Sequence, residues 1–125
     1  MTGTVWTYLT ASLLLVTAGI HSILGETRLI SPLLKQREGV LASDLARFLL
    51  RAVWHIMSIT FAIIATALIA SAESQSATKT VLLAATAIGI GGAGVLDAIG
   101  SRGRHIGWPL LVLIGAFALL GLREG

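Results

Sequence analysis

An all-α fold, a bundle of four transmembrane helices with short loops, is what this sequence predicts. Three observations predict it. Only 12% of the residues are charged while 55% are hydrophobic, against roughly a quarter charged in soluble domains. The apolar residues gather into four stretches near the roughly twenty residues that match a bilayer core. The charges fall in clusters between those stretches. The predicted helices cover about residues 5–25, 44–71, 77–99 and 105–122 of one integral membrane domain, 1–125.

Helix 1 contains no formal charge before Glu26 and one titratable ring, His21. The residues ahead of it lack Lys and Arg, so it reads as a spanning helix rather than a cleaved leader. The connection to helix 2 is polar and holds Glu26, Arg28, Lys35, Arg37, Glu38 and Asp44. Ile30, Leu33 and Leu34 are interspersed with these charges, and Pro32 follows Ser31. That pattern predicts a short interfacial helix started by Ser31 and ended by Gly39. Ser43 or Asp44 then caps helix 2.

Helix 2 carries Ala62, Thr66 and Ala70 at four-residue spacing, and helix 3 carries Ala85, Gly89 and Ala93. Small residues so spaced let membrane helices approach closely, so these two stripes predict contact between helices 2 and 3, or with a second copy. The glycine run Gly89, Gly91, Gly92 and Gly94 fits close packing better than a break. Helix 4 takes Pro109 in its first turn, where a missing N–H costs little.

Basic residues set the expected orientation. Arg28, Lys35, Arg37, Arg47, Arg51, Arg102 and Arg104 belong to one end of the bundle, and only Lys79 and Arg123 to the other. The positive-inside rule then places both termini on the non-cytoplasmic side, of the inner membrane if the cell is bacterial. The net charge of +3 is accounted for by these loops, and no soluble basic face exists to bind nucleic acid. The absence of cysteine removes disulfides, thiolate metal sites and cysteine nucleophiles.

Ionisable groups at membrane depth point to function. The candidates are His21, Glu26, Arg51, His55, Asp97 and His105, all near the expected cytoplasmic end and spread over four helices. Arg51 and His55 share a helix face that Arg47 and Ser58 extend, and Ser22 shares one with Glu26. Asp97, near a helix C-terminus, calls for a basic partner such as Arg102. His21 and His55, at similar depth, suit two axial ligands of a haem b. His21, His55 and His105 are the candidate ligands of a divalent metal, although no pair at helical ligand spacing pre-forms such a site. His55 with Asp97 suits a proton relay. No Gly-x-Ser-x-Gly elbow and no phosphate loop occurs, and enzymatic activity stays open.

The leading expectation is a small, non-catalytic subunit or assembly component with a His-centred polar site facing the cytoplasm. Its partners would be the lipid bilayer and other membrane subunits, or further copies of itself. The alternatives are a haem- or metal-binding redox membrane protein, or a small proton- or ion-coupled transporter, using the same site.

Overall fold

A computed structural model describes residues 2–124, so residues 1 and 125 of the expected domain lie outside the described residues. The chain is 86% helix, with no strand among the described residues. Helix α1 runs Gly3–Lys35, α2 Asp44–Ser71 and α3 Ala77–Gly100, and α4 runs Trp108–Glu124. With 33, 28 and 24 residues, α1, α2 and α3 are long and apolar enough to cross a membrane. Helix α4 has 17 residues, short of the roughly twenty that match a bilayer core. By length and composition, three helices rather than four are able to span a membrane.

Residues 105–107, expected in the fourth helix, belong to the α3–α4 turn instead. The cause is the C-terminal cap of α3. Arg102 takes a left-handed φ of 52°. The Gly103 N–H reaches Ala98 O at 2.8 Å, and the Arg102 N–H reaches Ile99 O at 3.2 Å. These two bonds satisfy carbonyls that the helix end would leave open, and the left-handed residue turns the chain away.

The expected separate interfacial helix is the last part of α1. Helix α1 passes through a π-helical turn over Glu26–Ile30 and continues as an α-helix over Ser31–Lys35. Ser31 is itself helical and donates its hydroxyl to Glu26 rather than capping a new helix. The wide turn has a local reason. Pro32 has no N–H, and its ring crowds the carbonyl four residues back, which a π turn relieves. Gly39, with φ of 55°, opens a 3₁₀ turn over Gly39–Ala42. Ser43 caps α2 by accepting from the Ala46 N–H at 3.4 Å, and Ser76 caps α3 by accepting from the Lys79 N–H at 3.2 Å.

Helix α1 packs against α2 on one side and α4 on the other, and α4 packs in turn against α3. Helices α2 and α3 meet over Ala77–Ala85, the first turns of α3. The core joins Ala11 and Leu14 of α1, Ala65 and Leu68 of α2, Leu83 and Ala87 of α3, and Ile114 and Ala118 of α4. Most other large apolar side chains point outward, Ile88 being 78% exposed. Water would not tolerate such a surface on a monomer, whereas hydrocarbon accepts it.

The two small-residue stripes do not face each other. Thr66, Ala70, Ala85, Gly89 and Ala93 are exposed, and Ala62 is half-buried. The glycines that bring backbones together are Gly91 and Gly94, and they face α4. A Cβ on Gly91 would lie 2.9 Å from Gly115 Cα, and one on Gly94 would lie 2.7 Å from the Val112 nitrogen. Another π-helical turn, Thr86–Gly91, shifts the register of α3. The repeat from Ala85 starts on the exposed face, whereas the buried face runs through Leu83, Ala87 and Gly91.

At the end of the bundle that holds the α2–α3 turn, polar groups tie three helices together. The Ala72 carbonyl accepts from Thr4 Oγ1 and from Lys79 Nζ, each at 3.3 Å. The Tyr8 hydroxyl donates to Glu73 at 3.2 Å.

Candidate functional site

At the opposite end of the bundle, α1 and α2 carry two adjoining groups of polar side chains. The first is centred on His21, whose Nδ1 lies 3.0 Å from Ser58 Oγ. The His21 ring is stacked on Trp54, with centroids 4.2 Å apart and planes 10° from parallel. Trp54 Nε1 donates to the His21 carbonyl at 3.0 Å. Gly25 makes room for the indole, because a Cβ there would sit 2.4 Å from it.

One residue along α1, Ser22 Oγ lies 2.8 Å from His55 Nδ1. The other nitrogen of that ring, Nε2, lies 3.2 Å from Glu26 Oε2. The second carboxylate oxygen, Oε1, accepts from Arg51 Nη2 at 2.9 Å and from Ser31 Oγ at 2.7 Å. Helical spacing explains the assembly. Ser22 and Glu26 are four apart on α1, and Arg51 and His55 are four apart on α2, so each helix presents two groups on one face. The π turn that begins at Glu26 adds Ser31 from one turn further on.

The array is chemically versatile. Neutral His55 can carry its proton on Nε2, donate to Glu26 and accept from the Ser22 hydroxyl. Protonated His55 donates from both nitrogens, because a hydroxyl also accepts. A proton can therefore be gained or lost while every hydrogen bond is kept. The side chain of His55 is 34% exposed, so the ring is not sealed inside the protein. The order serine, histidine, carboxylate is that of a hydrolytic triad. Ser22, however, lies inside a helix whose N–H groups are committed to the ladder, so no backbone donors stand free beside it to hold an oxyanion.

Asp97 and His105 form a separate pair. Asp97 Oδ2 accepts from His105 Nδ1, and the His105 N–H donates to Ser101 Oγ at 3.3 Å. The partner of Asp97 is thus His105, across the turn, and not Arg102. Arg102 is held by its left-handed backbone at the cap. Of the six candidates, His21, Glu26, Arg51 and His55 come together, while Asp97 and His105 close the α3–α4 turn. Among the described residues, no hydrogen bond or ion pair joins the two groups.

The donor set bears on the ligands expected from the sequence. Among the described residues, no three His, Asp or Glu side chains gather where a metal ion could be held, so His21, His55 and His105 do not form such a group. Both ring nitrogens of His55 are engaged and the His21 ring lies flat on an indole. Axial ligation of a haem by this pair would require breaking a hydrogen bond of His55.

Four participants are not among the six candidates, and two of them were weakly marked in the sequence. Ser22 and Ser58 fall at helical spacing from Glu26 and His55. Ser31 and Trp54 carry no signal of their own, since their roles depend on the π turn and on the notch at Gly25. Deeper in the bundle, the buried hydroxyls of Thr17 and Thr86 and the Trp6 indole nitrogen have no hydrogen-bond partner.

Comparison with protein-family models, with curated proteins and with solved structures returns no match for this chain.

Proposed function

We propose that residues 1–125 form one integral membrane domain that serves as a non-catalytic component of a membrane assembly. In this reading α4 is the fourth span, and the α1–α2 connection and the α3–α4 turn face the cytoplasm. The excess of Arg and Lys at that end supports the orientation. One observation carries the functional reading: the polar array on α1 and α2 is satisfied from within. Both nitrogens of His55 and both oxygens of Glu26 are engaged by the chain's own side chains. Such an array fixes one helix on another and presents no open coordination. The outward small-residue faces of α2 and α3 support the same reading, since closely approaching helices need such faces.

The experiment exploits the absence of cysteine. Single Thr66→Cys and Gly89→Cys variants are cross-linked in native membranes, with Leu14→Cys as the buried control. The expected result is a discrete cross-linked species from the outward positions and none from Leu14→Cys. Cross-linking of none of the three overturns the reading.

A second reading, a proton-coupled transporter, is favoured by one observation. Beyond the His21–Ser58 pair, a turn further along α1, the unpartnered Thr17 hydroxyl extends the polar line into the bundle. Proton flux in sealed vesicles, abolished by His55→Ala, would select it.

A further inference from the structure

The loop end of α1 and the start of α2 enclose an open cleft of about 410 Å³. Three cations line it, Lys35, Arg47 and Arg51, together with Ser31, Leu34, Phe48 and Asp44. The cations differ in their freedom. Arg47 is tied down, donating to the Leu41 carbonyl at 2.6 Å and the Ala42 carbonyl at 3.2 Å and pairing with Asp44. Arg51 is held on one side by Glu26 but has its side chain 49% exposed. Lys35 is exposed, and among the described residues it has no ion pair. Asp44 and Glu26 offset two of the three positive charges, so the cleft retains about one.

The surroundings are apolar on one side. Phe48 is exposed at the mouth, and Leu45, Leu49, Val53 and Ile56 continue an exposed apolar track along α2. Cations at a helix end would suffice to hold a loop at the membrane surface. A concave site with one unpaired ammonium, a partly free guanidinium and an adjoining apolar track offers more.

We propose that this cleft binds the phosphodiester headgroup of an anionic glycerophospholipid, with Lys35 and Arg51 on the phosphate and an acyl chain along Phe48 and the α2 track. One residual positive charge matches the single negative charge of a phosphodiester, and basic pockets between membrane helices are suited to anionic headgroups. The inference needs only that α1 and α2 lie in a membrane. It is independent of whether the protein joins an assembly.

The test is native mass spectrometry of the purified full chain with phosphatidylglycerol, phosphatidylcholine or inorganic phosphate. Phosphatidylglycerol should be retained in preference to phosphatidylcholine. Lys35→Gln should weaken that retention roughly fivefold, the size of one lysine's contribution at an anionic surface. Lys35→Arg should preserve it, and Lys79→Gln, at the other end of the bundle, should leave it unchanged. Equal retention of the two lipids, an unaltered Lys35→Gln variant, or inorganic phosphate binding as tightly as the lipid would each overturn the proposal. Melting of each variant in the same detergent separates loss of the site from loss of the fold.

Discussion

The His21 imidazole and the Trp54 indole lie face to face, 4.2 Å between centroids, over a notch that exists because residue 25 is glycine. The indole also donates to the carbonyl of the histidine it covers. One side chain of α2 thus reads both the ring and the backbone of α1, and it fixes the depth at which Ser22 meets His55 one residue further on. The polar array depends on that seating.

Gly25→Ala is therefore expected to destabilise the bundle by about 1–3 kcal/mol, the range for over-packing a filled site. Gly19→Ala, with nothing within 4 Å of the added carbon, should be close to neutral. Thermal unfolding of the two variants in one detergent checks the contrast, and Trp54 emission should shift for Gly25→Ala alone.

The α3–α4 contact offers a parallel comparison. Gly115→Ala would place a Cβ 2.5 Å from Gly91 Cα, backbone against backbone, so the helices must separate. Gly89→Ala faces open space and replaces glycine by a better helix former. Unfolding should show a clear loss for the first variant and no loss for the second. Equal effects would mean that Gly91 and Gly115 are not in contact.

Ser58 is buried and its hydroxyl is bonded to His21. Ser58→Ala is expected to cost about 1 kcal/mol, the usual net worth of one hydrogen bond. In a His21→Phe background the same change should cost less. A double-mutant cycle with no coupling between the two positions would remove the hydrogen bond from the account.

Thr17 makes the opposite prediction. Its buried hydroxyl has no partner, so Thr17→Val, similar in shape and without the hydroxyl, should leave stability unchanged or raise it by roughly 1 kcal/mol. A marked destabilisation would mean that the hydroxyl has a partner, such as a water in a proton path, and would strengthen the transporter reading.

The two lysines report on topology. Lys79 is 6% exposed with its amine bonded to the Ala72 carbonyl, whereas Lys35 is exposed at the other end. An impermeant amine reagent should modify Lys35 from one side of sealed vesicles only and should modify Lys79 slowly and from the opposite side only. Rapid modification of both from one side would contradict the bundle's up-and-down order.

Composition and the spacing of charges were enough to determine that the chain is helical and that it holds helices long and apolar enough to cross a membrane, where hydrocarbon leaves the backbone no other local solution. Membrane depth marked His21, Glu26, Arg51 and His55, and helical spacing put Arg51 with His55 and Ser22 with Glu26, since groups four apart share a face. Which faces meet was decided only by tertiary structure. The repeat read from Ala85 lies on the outward face of α3 from its first residue, while Gly91 and Gly94 lie on the buried face toward α4, and π turns at Glu26–Ile30 and Thr86–Gly91 change the winding at both places. The same effect carries Ser31 back to Glu26 and makes a continuous helix of what reads as two. A period of 3.6 residues holds only while the helix keeps its winding, and Pro32 and the glycine run alter that winding at the two places where packing and chemistry are set. The partition of the six ionisable candidates has a similar origin. Asp97 and His105 are close in sequence and satisfy each other across a capped turn, leaving the α1–α2 array to be closed by three serines and a tryptophan that the fold brings into place.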